Sequence, residues 1–343
     1  MKTILATCLL TLMTLFVSNA FAQEDHIVYE PAEGTANGKH IVLVSGDEEY
    51  RSEESCTMLG KILSQKHGFK CTVLFAIDSE TGCINPNDTS NIGHLESLAE
   101  ADLMIIGTRL RRLPDEQLQH FLDFLNEAKP IIGFRTSTHA FANGDYGDFS
   151  WGNFGVNVIG ENWISHHGGH KTQGGRGLVV EGNAGHPILN SVRDVFTPSD
   201  IYGIRNLDEE DATILLRGAV TETLDPSSKI INGPKNDPMM PLAWLREYDA
   251  PSGNTGRCLG TTAGASVDFR SEDLRRMIIN GSYFLLDMDV PAEADVDYVD
   301  PFEPSFYSFM PEDYFLKRDL YPADYALGSQ PASVPIDMGP VEK

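Results

Sequence analysis

His40-Ile41-Val42-Leu43-Val44-Ser45-Gly46, followed at once by Asp47-Glu48-Glu49-Tyr50-Arg51, decides the fold of this chain. A short apolar run with branched side chains stops at a glycine and a cluster of acids, the pattern of a strand buried on both faces of a parallel sheet. Behind it the spacing turns helical, with Met58, Leu59, Ile62 and Leu63 as the apolar stripe. Ser52 is expected to cap that helix, and Glu53 and Glu54 suit its first turn.

The alternation continues outward. Cys71–Ile77 reads as a second strand, a short helix is expected near Ile92–Ala99, and Leu103-Met104-Ile105-Ile106 reads as a third strand. Pro114, Asp115 and Glu116 open a helix whose buried face is Leu118, Phe121, Leu122 and Leu125. Pro130-Ile131-Ile132-Gly133-Phe134 is the next strand. Strands are also expected at Leu178-Val179-Val180, Thr213–Leu216, Leu242–Leu245 and Arg257–Thr261, before a closing helix capped by Ser271. Strands alternating with helices at these spacings build right-handed βαβ units. The expected fold is α/β, a mostly parallel central sheet with helices on both faces.

The ends have a different character. Lys2, the apolar run Ile4–Val17 and Ala20-Phe21-Ala22 read as a signal peptide over residues 1–22, cleaved before Gln23, and imply a secreted or periplasmic protein. Residues 23–290 form one α/β domain. Residues 291–343 are an acidic, proline-rich extension whose aromatics, Tyr298 through Tyr325, are expected to lie on the domain, with a disordered end. The leader's only charge is Lys2, so the exported chain carries 25 basic against 50 acidic residues and a net charge of −25. Such a surface repels phosphate backbones and anionic headgroups, so neither nucleic acid nor membrane insertion is expected. Cys56, Cys71, Cys83 and Cys258 show no CxxC pair, and buried thiols and a disulfide both stay open.

In open parallel sheets ligands bind beyond the carboxyl ends of the strands. Four polar segments are expected to meet there: Asp47–Arg51, Thr108–Arg112, Arg135–His139 and Trp163–His170. Each also has a plain reading as solvated loop polarity, helix capping or ion pairing, and their convergence is what points to a site.

Taken in order, the stretches Gly46–Glu54, His67–Ile77, Leu113–Gln117, Gly133–Phe141, His166–His170, His186-Pro187-Ile188 with Asp200-Ile201-Tyr202, Asn236–Trp244 and Thr261–Ser266 resemble those of ThuA-like proteins. The resemblance covers about His40 to Asp287. It implies a flavodoxin- or glutamine-amidotransferase-like fold in a family named for trehalose utilisation and linked to sugar metabolism. Amidotransferases place a cysteine nucleophile at the strand-to-helix elbow; here Arg135 stands in its place. A guanidinium stays protonated and cannot attack an amide, so glutaminase activity is not expected. Ser137 lies two residues beyond the elbow and is a poor substitute.

The remaining chemistry is that of imidazoles, carboxylates and guanidiniums. His139, His167 and His170 with Asp47 and Glu48 are the expected acid–base groups, and Glu49 is a further carboxylate beside them. Arg51, Arg109, Arg135, Thr136, Trp163 and His166 are the expected substrate-binding residues, with Trp163 or Trp151 as a platform for a sugar ring. No cofactor is indicated by a motif. A divalent metal held by His166, His167 and His170 stays open, although the glycines between them preclude a helical HExxH site. The first reading is an exported enzyme acting on a sugar or keto-sugar. Against it stand a non-catalytic sugar-binding or scaffold protein and a metal-dependent hydrolase. The expected partner is a small-molecule carbohydrate, and a homo-oligomer is left open.

Overall fold

The computed structural model describes residues 24–329 and Pro331; the expected signal peptide and the last part of the extension lie outside the described residues. Twelve strands occur among them: β1 His26–Tyr29, β2 His40–Gly46, β3 Lys70–Leu74, β4 Leu103–Thr108, β5 Ile131–Phe134, β6 Asp145–Tyr146, β7 Phe149–Ser150, β8 Gly175–Val179, β9 Val195–Thr197, β10 Ala212–Val220, β11 Met240–Asp249 and β12 Thr255–Thr261. The helices are α1 Ser52–His67, α2 Asp115–Asn126, α3 Glu272–Leu285 and α4 Tyr314–Arg318.

Ten strands form one sheet in the order β1-β3-β2-β4-β5-β12-β11-β10-β8-β9. Its centre, β3-β2-β4-β5-β12, is parallel throughout. The β1 edge and the β11-β10-β8-β9 side are antiparallel. The fold is thus α/β with a parallel centre. The sequence reading omitted β1 and β9, edge strands of four and three residues, too short to leave a pattern.

β2 is buried along its whole length and serves two cores at once. Ile41 and Leu43 face the core that holds α1 and α3, whereas Val42 and Val44 face the one that holds α2. Alternation of side chains across a strand, with a helical layer on each face, makes the run apolar without a break. No helix among the described residues is long and apolar enough to cross a membrane.

Two local expectations need correcting. Ser52 does not cap α1; Arg51 holds that position in a left-handed conformation, and Ser52 Oγ accepts from the Gly46 amide at 3.0 Å. That bond ties the end of β2 to the helix start. The segment near Ile92–Ala99 is a 3₁₀ helix over Leu95–Glu100. The four cysteines among the described residues are buried and free, and burial pushes the Cys258 thiol up to about 12.

Past α3 the chain runs back across the domain as a strap. Phe302, Tyr307, Phe315 and Tyr325 are buried along it. Ser305 donates to Glu54 through both its amide and its hydroxyl, and the buried Lys61 ammonium pairs with Asp300 at 2.5 Å.

Candidate functional site

The parallel strands run β3-β2-β4-β5-β12, so the chain leaves β2 first toward β3 and then crosses to β4. That reversal opens a crevice at the carboxyl ends. The loops after β2, β4 and β5 border a cavity of about 580 Å³, closed on the far side by residues 162–170, Tyr202 and the strap. This volume lies within the ~300–1,000 Å³ usual for small-molecule sites. Among its lining residues are Glu49, Arg109, His139, Trp163, His166, His170 and Tyr202.

Asp200 organises the polar side. It is fully buried, with Oδ2 2.8 Å from His166 Nδ1 and Oδ1 3.1 Å from His170 Nδ1. Those hydrogen bonds and Arg135 hold its carboxyl far below the usual range, despite burial that opposes ionisation. An ionised carboxylate can only accept, so the two imidazoles carry their protons on Nδ1 and keep Nε2 for the cleft. His170 Nε2 is 3.5 Å from Glu49 Oε1. Burial, and then the charge of Asp47, push the Glu49 carboxyl up to about 7, with Arg109, Arg135 and His166 pulling the other way. His139 lies beside Trp163, 5.7 Å between ring centres. Burial first, then Arg109, Arg135 and His166, push its imidazole down to about 3, so it is neutral at physiological pH.

Six of the residues singled out from sequence therefore line one cavity: Glu49, Arg109, His139, Trp163, His166 and His170. The others have structural partners instead. Asp47 is buried; Oδ1 accepts from the Glu49 and Tyr50 amides and Oδ2 from the equally buried Thr136 hydroxyl at 2.5 Å. Glu48 is held by Arg109 and Arg111. Arg51 donates to the Glu48 and Ser308 carbonyls and stacks on Phe315 at 4.9 Å. His167 turns outward, its Nε2 2.5 Å from the Lys235 carbonyl oxygen.

Arg135 is the largest departure. It keeps the sharp elbow after β5 (φ 47°), a costly conformation for a residue with a side chain. Its guanidinium has no exposure; it donates to the Asp200 and Thr262 carbonyls and to Tyr50 Oη, and it lies between the rings of Tyr50 (4.4 Å) and Tyr202 (3.8 Å). It supports the floor and is sealed from the cleft. Ser137 is equally sealed, and its hydroxyl has no hydrogen-bond partner.

Sequence reasoning noted Asp200 and Tyr202 only as landmarks. Asp200 stands 30 residues from His170 in an unremarkable stretch, and nothing local shows that it is desolvated. Leu110 falls in a loop expected at the site, but Phe309 is legible in sequence only as one of the extension's aromatics, with nothing to place it at the rim.

Ligand atoms of His166, His170 and Asp200 lie within 4.8 Å of one another, a spacing that could also hold a divalent ion. Asp25, His26 and His94 form a second such group away from the cleft. There the two imidazoles stack at 3.6 Å and 5° apart, so their in-plane lone pairs run parallel instead of converging on one ion.

No family model matches this chain. No curated protein matches it either. Among solved structures, a protein described as ThuA-like from Parabacteroides merdae aligns with 80% of this chain and 98% of its own, at 11% identity and a TM-score of 0.48. Another so described, from Bacteroides uniformis, aligns with 75% and 95%, at 13% identity and a TM-score of 0.47. The chain resembles ThuA-like proteins. The CTPS glutaminase domain of Trypanosoma brucei aligns with 75% of this chain and 98% of its own, at 13% identity and a TM-score of 0.35.

Proposed function

We propose that this chain is an exported enzyme that performs acid–base chemistry on a sugar or keto-sugar, by hydrolysis or proton abstraction, without a thiol nucleophile. The carrying observation is the array Asp200–His170–Glu49, in which one imidazole joins an ionised carboxylate to a second carboxyl of raised affinity for protons. Such a pair separates the roles: His170 Nε2 accepts a proton from a water or hydroxyl, and protonated Glu49 donates one to a departing oxygen. Trp163, 40% exposed over the cleft, offers the flat apolar face that the CH side of a pyranose needs. Export to a secreted or periplasmic setting rests on the composition of residues 1–22.

The test is a turnover screen of sugars and keto-sugars on protein beginning at Gln23, with His170→Ala alongside. Turnover that falls at least a hundredfold in the variant supports the reading. Binding without turnover would make the chain a sugar-binding protein, and unchanged turnover in the variant would remove His170 from the chemistry.

A second reading, metal-dependent hydrolysis, draws on the 4.8 Å grouping of His166, His170 and Asp200. Elemental analysis of protein purified without chelator decides it: stoichiometric metal that Asp200→Asn abolishes supports the metal reading.

A further inference from the structure

Three of the seven exposed large apolar side chains among the described residues, Leu110, Trp163 and Phe309, border this one cleft. Scattered apolar exposure is ordinary, but convergence around a polar cavity marks a binding surface. Phe309 is the most exposed of the seven, at 54%, and the only one of the three that comes from the strap. It is held in place by its neighbour. The Ser308 amide donates to the Glu49 carbonyl at 3.0 Å, its carbonyl accepts from Arg51 at 3.2 Å, and its hydroxyl accepts from Lys171 at 3.1 Å. One residue earlier, the fully buried Tyr307 stacks on Tyr50 at 5.0 Å and lies 5.4 Å from His170. The segment is thus fastened to the loop that carries Glu49 and to the loop that carries His170.

Phe309 itself buries little and anchors nothing. The Arg109 guanidinium lies 4.8 Å from its ring centre, and much of the rest of the ring is open. An aromatic kept exposed by a well-fastened backbone, at the mouth of a cavity whose floor is polar, suits a ligand that is polar at one end and flat at the other.

We propose that the C-terminal strap is part of the binding site, and that Phe309, with Leu110 and the outer edge of the Trp163 platform, forms an outer subsite for the second unit of a glycoside, an aromatic aglycone or another sugar ring. The inner groups Glu49, His139, His166 and His170 take the first ring. This inference rests on the carbohydrate reading of the cleft and adds the length and outer chemistry of its ligand.

Calorimetric titration of protein beginning at Gln23 with methyl and p-nitrophenyl pyranosides of the gluco, galacto and manno series tests it. The p-nitrophenyl member of the accepted series binds about tenfold more tightly than the methyl member. Phe309→Ala removes that gain and changes methyl-glycoside affinity less than about twofold. Leu316→Ala, an exposed strap residue outside the cleft, leaves both affinities as they were. Equal binding of the two glycosides by the unaltered protein, or a gain that survives Phe309→Ala, overturns the outer subsite and leaves the inner reading standing. If no glycoside of either kind binds, the carbohydrate reading fails and takes the subsite with it.

Discussion

Asp200 Oδ1 lies 3.1 Å from His170 Nδ1, joining a carboxylate sealed from solvent to an imidazole that borders the cleft. The bond fixes the tautomer and the tilt of the ring, so His170 presents a lone pair to whatever occupies the cavity.

Asp200→Asn is expected to lower kcat/KM at least about a hundredfold, because an amide can offer its N–H to Nδ1 and select the wrong tautomer. The same change leaves the buried Arg135 guanidinium short of its counter-charge and costs on the order of 3–5 kcal/mol of stability. Denaturant unfolding with steady-state kinetics measures both. Because the Asp200 carboxyl is held down, its stabilising effect is complete above the ordinary aspartate value of 3.8 and is lost as pH falls below it. Acid should therefore destabilise the unaltered protein more than the variant.

If the acid–base reading holds, Glu49 should set the alkaline limb of the activity profile. Its proton is retained up to about pH 7, so kcat/KM should fall above that pH with a slope of one proton. Glu49→Gln should remove that limb and lower the rate about 10²–10⁴-fold. The raised value also means that the folded state resists ionisation. Stability from this group is present below the ordinary 4.5 and lost as pH rises through about 7, a loss that the glutamine variant escapes. A profile that rises through pH 7 would assign Glu49 as a base instead.

His139 should not titrate in the working range. With its imidazole pushed down to about 3, the ring resonances should stay constant between about pH 5 and 8, whereas a midpoint near the ordinary 6.5 would show that solvent reaches the ring. Nuclear magnetic resonance of the histidine ring protons makes the measurement.

Arg135→Lys should damage folding before it damages binding. A single ammonium cannot serve the Asp200 and Thr262 carbonyls, Tyr50 Oη and two aromatic faces together. A loss of about 3 kcal/mol or more in chemical unfolding is expected. An unchanged midpoint with weakened ligand affinity would instead return this guanidinium to the binding surface.

The parallel centre was legible because β2, β4 and β5 are buried on both faces and leave unbroken apolar runs, and because each ends in a polar loop at the same edge. What sequence could not reveal was which polar residues remain in reach of a ligand. Asp47, Glu48 and Thr136 belong to types that serve chemistry and scaffolding equally, and only their hydrogen bonds to the loops around them separate the uses. Asp200 depended on a contact across 30 residues, and Phe309 on a strap that crosses the domain after the last sheet strand.

The elbow at Arg135 combines a sharp backbone bend with a fully buried guanidinium that acts as a keystone. Its aromatic neighbours Tyr50 and Tyr202 wall off the spot where a reactive sulfur would have to meet its substrate. Arg135→Cys would accordingly yield a walled-in thiol beside an Asp200 left with only its two histidine partners, and no glutaminase activity is expected. Reopening that spot would take the dismantling of a whole buried layer, whereas His139, His166 and His170 already border the cleft one shell outward.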